Sequence, residues 1–199
     1  MNRQGRQIAA LVILTATVVL PAGSAAAAPA QTVTDGTVAA VDAGSVTVAA
    51  RTGAQVRVLL TGDTRVIRRQ PVRFDQIKPR DFIGVTARKE ADGGLTAVAI
   101  NIFPPEYKGR VREGQFPMET GNLMTNAVVF QNVRRIEGRT LYLTFPEGTA
   151  VINVPRDAEI FRLTQIRAAD LRAGMRVTVR STMNPDGGMT ATSVTVDAS

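Results

Sequence analysis

Ile77–Ile102 reads Ile-Lys-Pro-Arg-Asp-Phe-Ile-Gly-Val-Thr-Ala-Arg-Lys-Glu-Ala-Asp-Gly-Gly-Leu-Thr-Ala-Val-Ala-Ile-Asn-Ile, and Leu171–Val196 reads Leu-Arg-Ala-Gly-Met-Arg-Val-Thr-Val-Arg-Ser-Thr-Met-Asn-Pro-Asp-Gly-Gly-Met-Thr-Ala-Thr-Ser-Val-Thr-Val. The two stretches align without a gap at an offset of 94. Asp92-Gly93-Gly94 falls on Asp186-Gly187-Gly188, Thr96-Ala97 on Thr190-Ala191, Val85 on Val179 and Ile100 on Val194. Apolar side chains alternate on either side of each Asp-Gly-Gly, which is the pattern of a β-hairpin closed by turn residues.

Working outward, the similarity extends upstream with one gap. Val38 and Val41 align with Val133 and Ile136, Val46 and Val48 with Leu141 and Leu143, Gly53 with Gly148, and Val66 with Ile160. The unit is therefore about 70 residues in two copies, the size of a small domain rather than of a solenoid repeat. In the first copy, period-two alternation predicts strands at Gly36–Val41, Ser45–Arg51, Gln55–Leu60, Phe82–Lys89 and Leu95–Ile102. Phe74–Ile77 reads as one helical turn before Pro79, and the equivalent Thr164–Leu171 carries better helix formers and stops at Gly174. Three strands, a short helical crossing and two more strands predict an all-β chain of two tandem five-stranded OB-like β-barrel domains, each burying its own core.

The boundaries follow. Residues 1–30 combine Arg3 and Arg6, an apolar run from Ile8 to Leu20 and an alanine-rich end, the order of a cleaved signal peptide. The apolar run is too short to span a bilayer as a retained anchor. The expected location is periplasmic or secreted. The first barrel covers 31–103 and the second 128–199. Between them, 104–127 is rich in proline and glycine and reads as a strap or linker. It also holds Tyr107, Phe116, Met118, Leu123 and Met124, more apolar side chains than a flexible tether carries.

Composition narrows the chemistry. The chain of 199 residues has no cysteine, histidine or tryptophan. Disulfides, thiolate nucleophiles, thiolate metal sites, the commonest general base and the commonest metal ligand are all excluded. The net charge is +7, or +5 without Arg3 and Arg6. Asp92 and Asp186 each bring one carboxylate to a turn, which is too few for a calcium loop. The methionines have no histidine or tryptophan beside them and read as packing. No serine has an activating base, and Glu106, Glu113 and Glu119 show no spacing suited to acid–base work. No enzyme, cofactor or metal ligand is expected.

Arg65, Arg68, Arg69, Arg73 and Arg80 crowd into sixteen residues, and Arg156, Arg162, Arg167 and Arg172 occupy similar ground in the second copy. Such a basic face suits an anionic partner. Only Phe74 lies inside the first cluster, so stacking on single-stranded nucleic acid is not expected. The candidate interaction surface is Arg65, Arg68, Arg69 and Arg73 with Tyr107, Glu113, Phe116, Met124 and Asn126 of the strap. The leading function is a non-catalytic binding module for an envelope protein or an anionic polymer. The alternatives are an accessory binder of a metal ion or small anion and, more remotely, a carboxylate-dependent hydrolase.

The pattern Gly-x-Val-x-x-Val, hairpin, Thr-x-Val, Leu-x-x-Gly-x-x-Val-x-Val, Asp-Gly-x-Leu-x-Ala resembles a bacterial domain of unknown function found in exported proteins as tandem small β-barrels. The resemblance covers nearly all of the chain after residue 30. The strap, with Glu113-Gly114 and Met124-Thr125-Asn126-Ala127, is similar to that of exported proteins sometimes labelled metal transporter permeases. A permease needs several apolar spans of about 20 residues, and residues 31–199 contain none. Related straps carry histidine and tryptophan after the Glu-Gly. Gln115 and Phe116 stand there instead, so the resemblance does not carry a metal role over to this strap.

Overall fold

A computed structural model describes residues 31–135 and 138–198, so residues 1–30, expected from the sequence to be a signal peptide, lie outside the described residues. The described residues are all-β, with 13 strands joined in one sheet. The strands are β1 (Gln31–Asp42), β2 (Ser45–Ala50), β3 (Gln55–Leu59), β4 (Arg65–Pro71), β5 (Phe82–Lys89), β6 (Leu95–Ile102), β7 (Gly114–Pro117), β8 (Leu123–Arg135), β9 (Gly138–Phe145), β10 (Gly148–Asn153), β11 (Glu159–Ile166), β12 (Arg176–Met183) and β13 (Met189–Asp197). Three short 3-10 turns, at Phe74–Gln76, Pro105–Tyr107 and Ala168–Asp170, complete the regular structure.

The local chemistry behind the hairpins is plain. Gly93 and Gly187 take φ values of 85° and 82°, which side chains resist. Asp92 Oδ1 accepts from the Gly94 N–H at 2.8 Å and Asp186 Oδ1 from the Gly188 N–H at 2.9 Å. Both turns thus tie their own backbone, the use that aspartate before glycine predicts.

The pairing order is β10-β9-β8-β5-β6-β11-β4-β13-β12-β1-β2-β3, with β7 added to β8 and extra pairings β10–β6 and β13–β3. Several ladders are reciprocal at the offset of 94. Arg65 pairs with Ser193 and Ala99 with Glu159. Leu59 pairs with Thr190 and Thr96 with Asn153. In the middle β4 and β11 run antiparallel, Arg69 opposite Leu163 and Val66 opposite Ile166. An isologous contact between two like bodies has this form.

The expectation that each half surrounds its own core does not hold. One cluster joins Phe74, Ile77, Ile83, Val85, Ile100 and Ile102 to Val129, Leu141, Leu143, Ile152 and Ile160. The other joins Val38, Val46, Val48, Val58 and Val66 to Leu171, Val177, Val179, Val194 and Val196. Each core therefore combines strands from before and after the strap. The physical reason lies in the ladders: β1 pairs along β12, and β5 along β8, so the inward faces of those strands meet across the halves. Each fully buried Val, Ile or Leu contributes about 1.5–3 kcal/mol by leaving water.

Further differences from the sequence reading are local. Arg65–Pro71 forms a strand that the sequence reading left unassigned, and Thr164–Ile166 is strand rather than helix. Tertiary pairing of β4 with β11 outweighs the helix preference of that stretch. The first-strand alignment also shifts. The bulges fall at Val38/Ala40 in β1 and at Val129/Gln131 in β8, and both valines are buried. Val38 thus corresponds to Val129, not Val133. The β8–β9 hairpin is longer than the β1–β2 hairpin, and this length difference hid the true register.

Candidate binding surface

The structure sorts the predicted surface into two neighbouring groups. The first is the seam where β4 meets β11. Arg69 is engaged: its Nε donates to Asp197 Oδ1 at 2.8 Å, and its guanidinium lies 4.0 Å from the Phe161 ring centroid. Arg73 pairs with Asp75 at 3.1 Å, Arg162 with Asp81 at 3.7 Å and Arg167 with Asp170 at 3.0 Å. Asp170 also accepts from the Arg167 backbone N–H. The hydrogen bonds and charge of Arg167 hold the Asp170 carboxyl below the usual carboxylate range. Arg65 and Arg68 differ from these neighbours. Both are exposed, and neither forms an ion pair among the described residues.

The second group is the strap, which is ordered. Phe103 leaves β6 and hydrogen-bonds through its N–H to the Phe82 carbonyl at 2.9 Å. The Phe82 and Phe103 rings lie 5.3 Å apart, and Tyr107 stacks on Phe103 at 6.0 Å. Gly84 makes this possible. A Cβ there would come within 2.9 Å of the Phe103 ring and 2.8 Å of Asn126 Oδ1. The chain then runs back as β7, pairing Gly114–Pro117 antiparallel to Leu123–Asn126. Asn126 Nδ2 donates to the Arg112 carbonyl at 2.8 Å, and Gln115 Nε2 donates to Thr125 Oγ1 at 3.1 Å. Arg112 covers the Phe116 ring, which sits opposite Met124. Glu113 precedes the strand and is half-buried.

Tyr107 links the groups. Burial raises its phenol pKa, while the charge of Arg65 acts in the opposite sense. Its hydroxyl and Asn126 Oδ1 are buried without a hydrogen-bond partner. The strap thus packs its apolar side chains down and keeps little of them for a partner. Arg65 and Arg68 are the predicted residues with free chemistry.

Sequence reasoning missed a second place. A shallow cleft of about 200 Å³ is lined by Asp35, Gly36, Thr37, Arg51, Arg176, Thr178 and Asp197, among others. Thr178 Oγ1 donates to Asp35 Oδ1 at 2.5 Å. These side chains are scattered in sequence and carry no motif. The β1–β12 ladder, with β2 beside β1 and β13 beside β12, brings them together.

Among the described residues no group of three or more histidine, cysteine, aspartate or glutamate side chains is placed to hold a metal ion. Likewise no helix there is long and apolar enough to cross a membrane. Residues 35–101 match the model of a family described as Domain of unknown function (DUF5666). The match begins in β1 and ends in β6, so it supplies strands to both cores. No curated protein matches the chain, and no solved structure does.

Proposed function

We propose that the chain is an exported, non-catalytic binding module, periplasmic or secreted, that holds an anionic macromolecule against the β4–β11 seam. The reading rests on one observation. Arg65 and Arg68 are exposed without a carboxylate partner, while Arg69, Arg73, Arg162 and Arg167 around them are all paired. The two stand three residues apart on β4 and so leave the strand on opposite faces, where each free guanidinium is ready to take phosphate, sulfate or carboxylate oxygens in bidentate fashion. Export is supported by the basic, apolar and small-residue order of residues 1–30. The absence of histidine and cysteine from the sequence favours binding over catalysis.

The architecture proposed for this module is a duplicated unit whose two ends close as small OB-like barrels. The bridges Leu59–Thr190 and Thr96–Asn153, each joining the outer strands of a five-strand set, support closure. The constant offset of the reciprocal ladders supports duplication.

The test is retention on immobilised heparin, a sulfated polyanion, against a salt gradient. The full chain is expected to bind and the double variant Arg65→Glu, Arg68→Glu to elute at clearly lower salt, because exposed charge contacts weaken as ionic strength rises. Equal elution of the two proteins would remove the seam as the binding surface.

A further inference from the structure

The strap occupies one edge of the sheet, and the same edge is open elsewhere in the molecule. In β8, residues Leu123–Asn126 have β5 on one side and β7 on the other. The corresponding stretch of β1 is fixed by the ladders. Gly84 faces Asn126 and Thr86 faces Met124, while Thr178 faces Asp35 and Arg180 faces Val33. Met124 therefore corresponds to Val33, Thr125 to Thr34 and Asn126 to Asp35. Thr34 is buried like Thr125. Val33, however, is 50% exposed.

Among the described residues no strand pairs with Gln31–Asp35 on the side away from β12, where β7 would be. β2 pairs with β1 from Gly36 onward. The Asp35 carbonyl accepts from the Arg51 N–H at 3.1 Å, so it points towards β2. A strand turns its backbone groups to alternate sides, so the N–H and C=O of Val33 point the same way, past the end of β2. They form an unpaired edge of the kind that takes up an added strand.

The surroundings state what that strand should carry. Where the strap side has Phe82 packed against Phe103, the open side has Arg176 and Asp197. Asp197 is held by Arg69 and Asp35 by Thr178. Arg51, Arg176 and Arg180 are exposed and form no ion pair among the described residues. The site thus offers a backbone edge, an exposed valine and three free guanidinium groups.

We propose that the Gln31–Asp35 edge of β1 is a docking site for an extended peptide segment of a partner protein, added antiparallel as β7 is added to β8, with an apolar side chain against Val33 and acidic side chains towards Arg51, Arg176 and Arg180. The chain's own strap is the template: Phe116 opposite Met124 shows the apolar contact, and the arginines of the open site reverse the charge that suits it. This site shares no residue with the Arg65–Arg68 surface, so either can fail alone.

The probe is a labelled ten-residue peptide copying the strap from Arg110 to Glu119, with both of its arginines replaced by glutamate. Its binding to the full chain is read by fluorescence anisotropy. Saturable binding with a Kd on the order of tens of micromolar is expected. Val33→Pro, which removes the edge N–H, should weaken it at least ~10-fold, and so should the double variant Arg176→Glu, Arg180→Glu. The double variant alters only exposed side chains, so it remains informative if the proline variant fails to fold. The unaltered strap peptide should bind more weakly than the acidic one. Absence of saturable binding overturns the proposal. So does equal weakening by Arg156→Glu, an exposed arginine elsewhere, which would mark the binding as general charge attraction. A dimer of the chain abolished by Val33→Pro would overturn it in favour of edge pairing between two copies.

Discussion

Gly84 shows how much one side chain decides at this scale. It pairs with Asn126 across the β5–β8 ladder and lets Phe103 lie over the sheet. A methyl group there would sit closer to both than packed atoms allow. Gly84→Ala is therefore expected to lower stability by about 1–3 kcal/mol, the usual cost of overfilling a packed site. Chemical denaturation of the two proteins measures it, and an unchanged midpoint would show that the strap yields without cost. The glycine was visible in the sequence only as one more residue in an alternating strand. Its role was not legible, because the group it accommodates comes from the strap and not from its neighbours. Asp92 and Asp186 are the opposite case. Their hydrogen bonds reach only two residues ahead, so the turn was readable from the residues themselves.

At the scale of elements, the hairpins β5–β6 and β12–β13 appear at the predicted residues, and the alternation that located them is local. The register of the first strand, the strand β4 and the exchange of partners were not readable. They depend on which distant strand a given face meets, and apolar alternation looks the same whatever its partner. The strap belongs with these. Its apolar residues signalled order, and pairing with β8 supplies it. Its anchor has a pH dependence. Tyr107 has a phenol whose pKa burial raises above the ordinary value. The folded form therefore prefers the neutral phenol. Its contribution is complete below the unfolded pKa of about 10 and is lost as pH rises through the folded one. Strap cleavage by protease should accelerate in strongly alkaline solution in the native chain. In Tyr107→Phe that acceleration should be reduced, with the strap equally protected at neutral pH, since the hydroxyl has no partner to lose. Identical alkaline behaviour of the two proteins would exclude Tyr107 as the anchor.

For the whole molecule, the woven cores make a prediction that two independent domains would not share. A protease site placed in the exposed turn at Glu119–Gly121, between β7 and β8, would leave each core intact while cutting the chain in two. The halves are expected to co-elute as a single particle under native conditions and to separate only on denaturation, because β1 pairs with β12, β5 with β8, β6 with β11 and β4 with both β11 and β13 across the cut, and each core draws on both sides of it. Independent elution of two folded fragments on size-exclusion chromatography would contradict the observed pairing. The likeness of the two sequence segments was legible as arithmetic, an offset of 94. Which half fills which core was not, since like segments present nearly the same inward faces and either pairing satisfies the pattern.

The bridge between Leu59 and Thr190 sets an order of events during synthesis. The core around Ile100 and Leu141 has its last strand once residue 166 has been made. The strands β1–β3, translated first, wait for β12 and β13, translated last, before their valines leave water. Contacts of such sequence separation form slowly, and a nascent chain holds this apolar sheet uncovered for nearly its whole length. The first strands after residue 30 are thus expected to be the last to be buried.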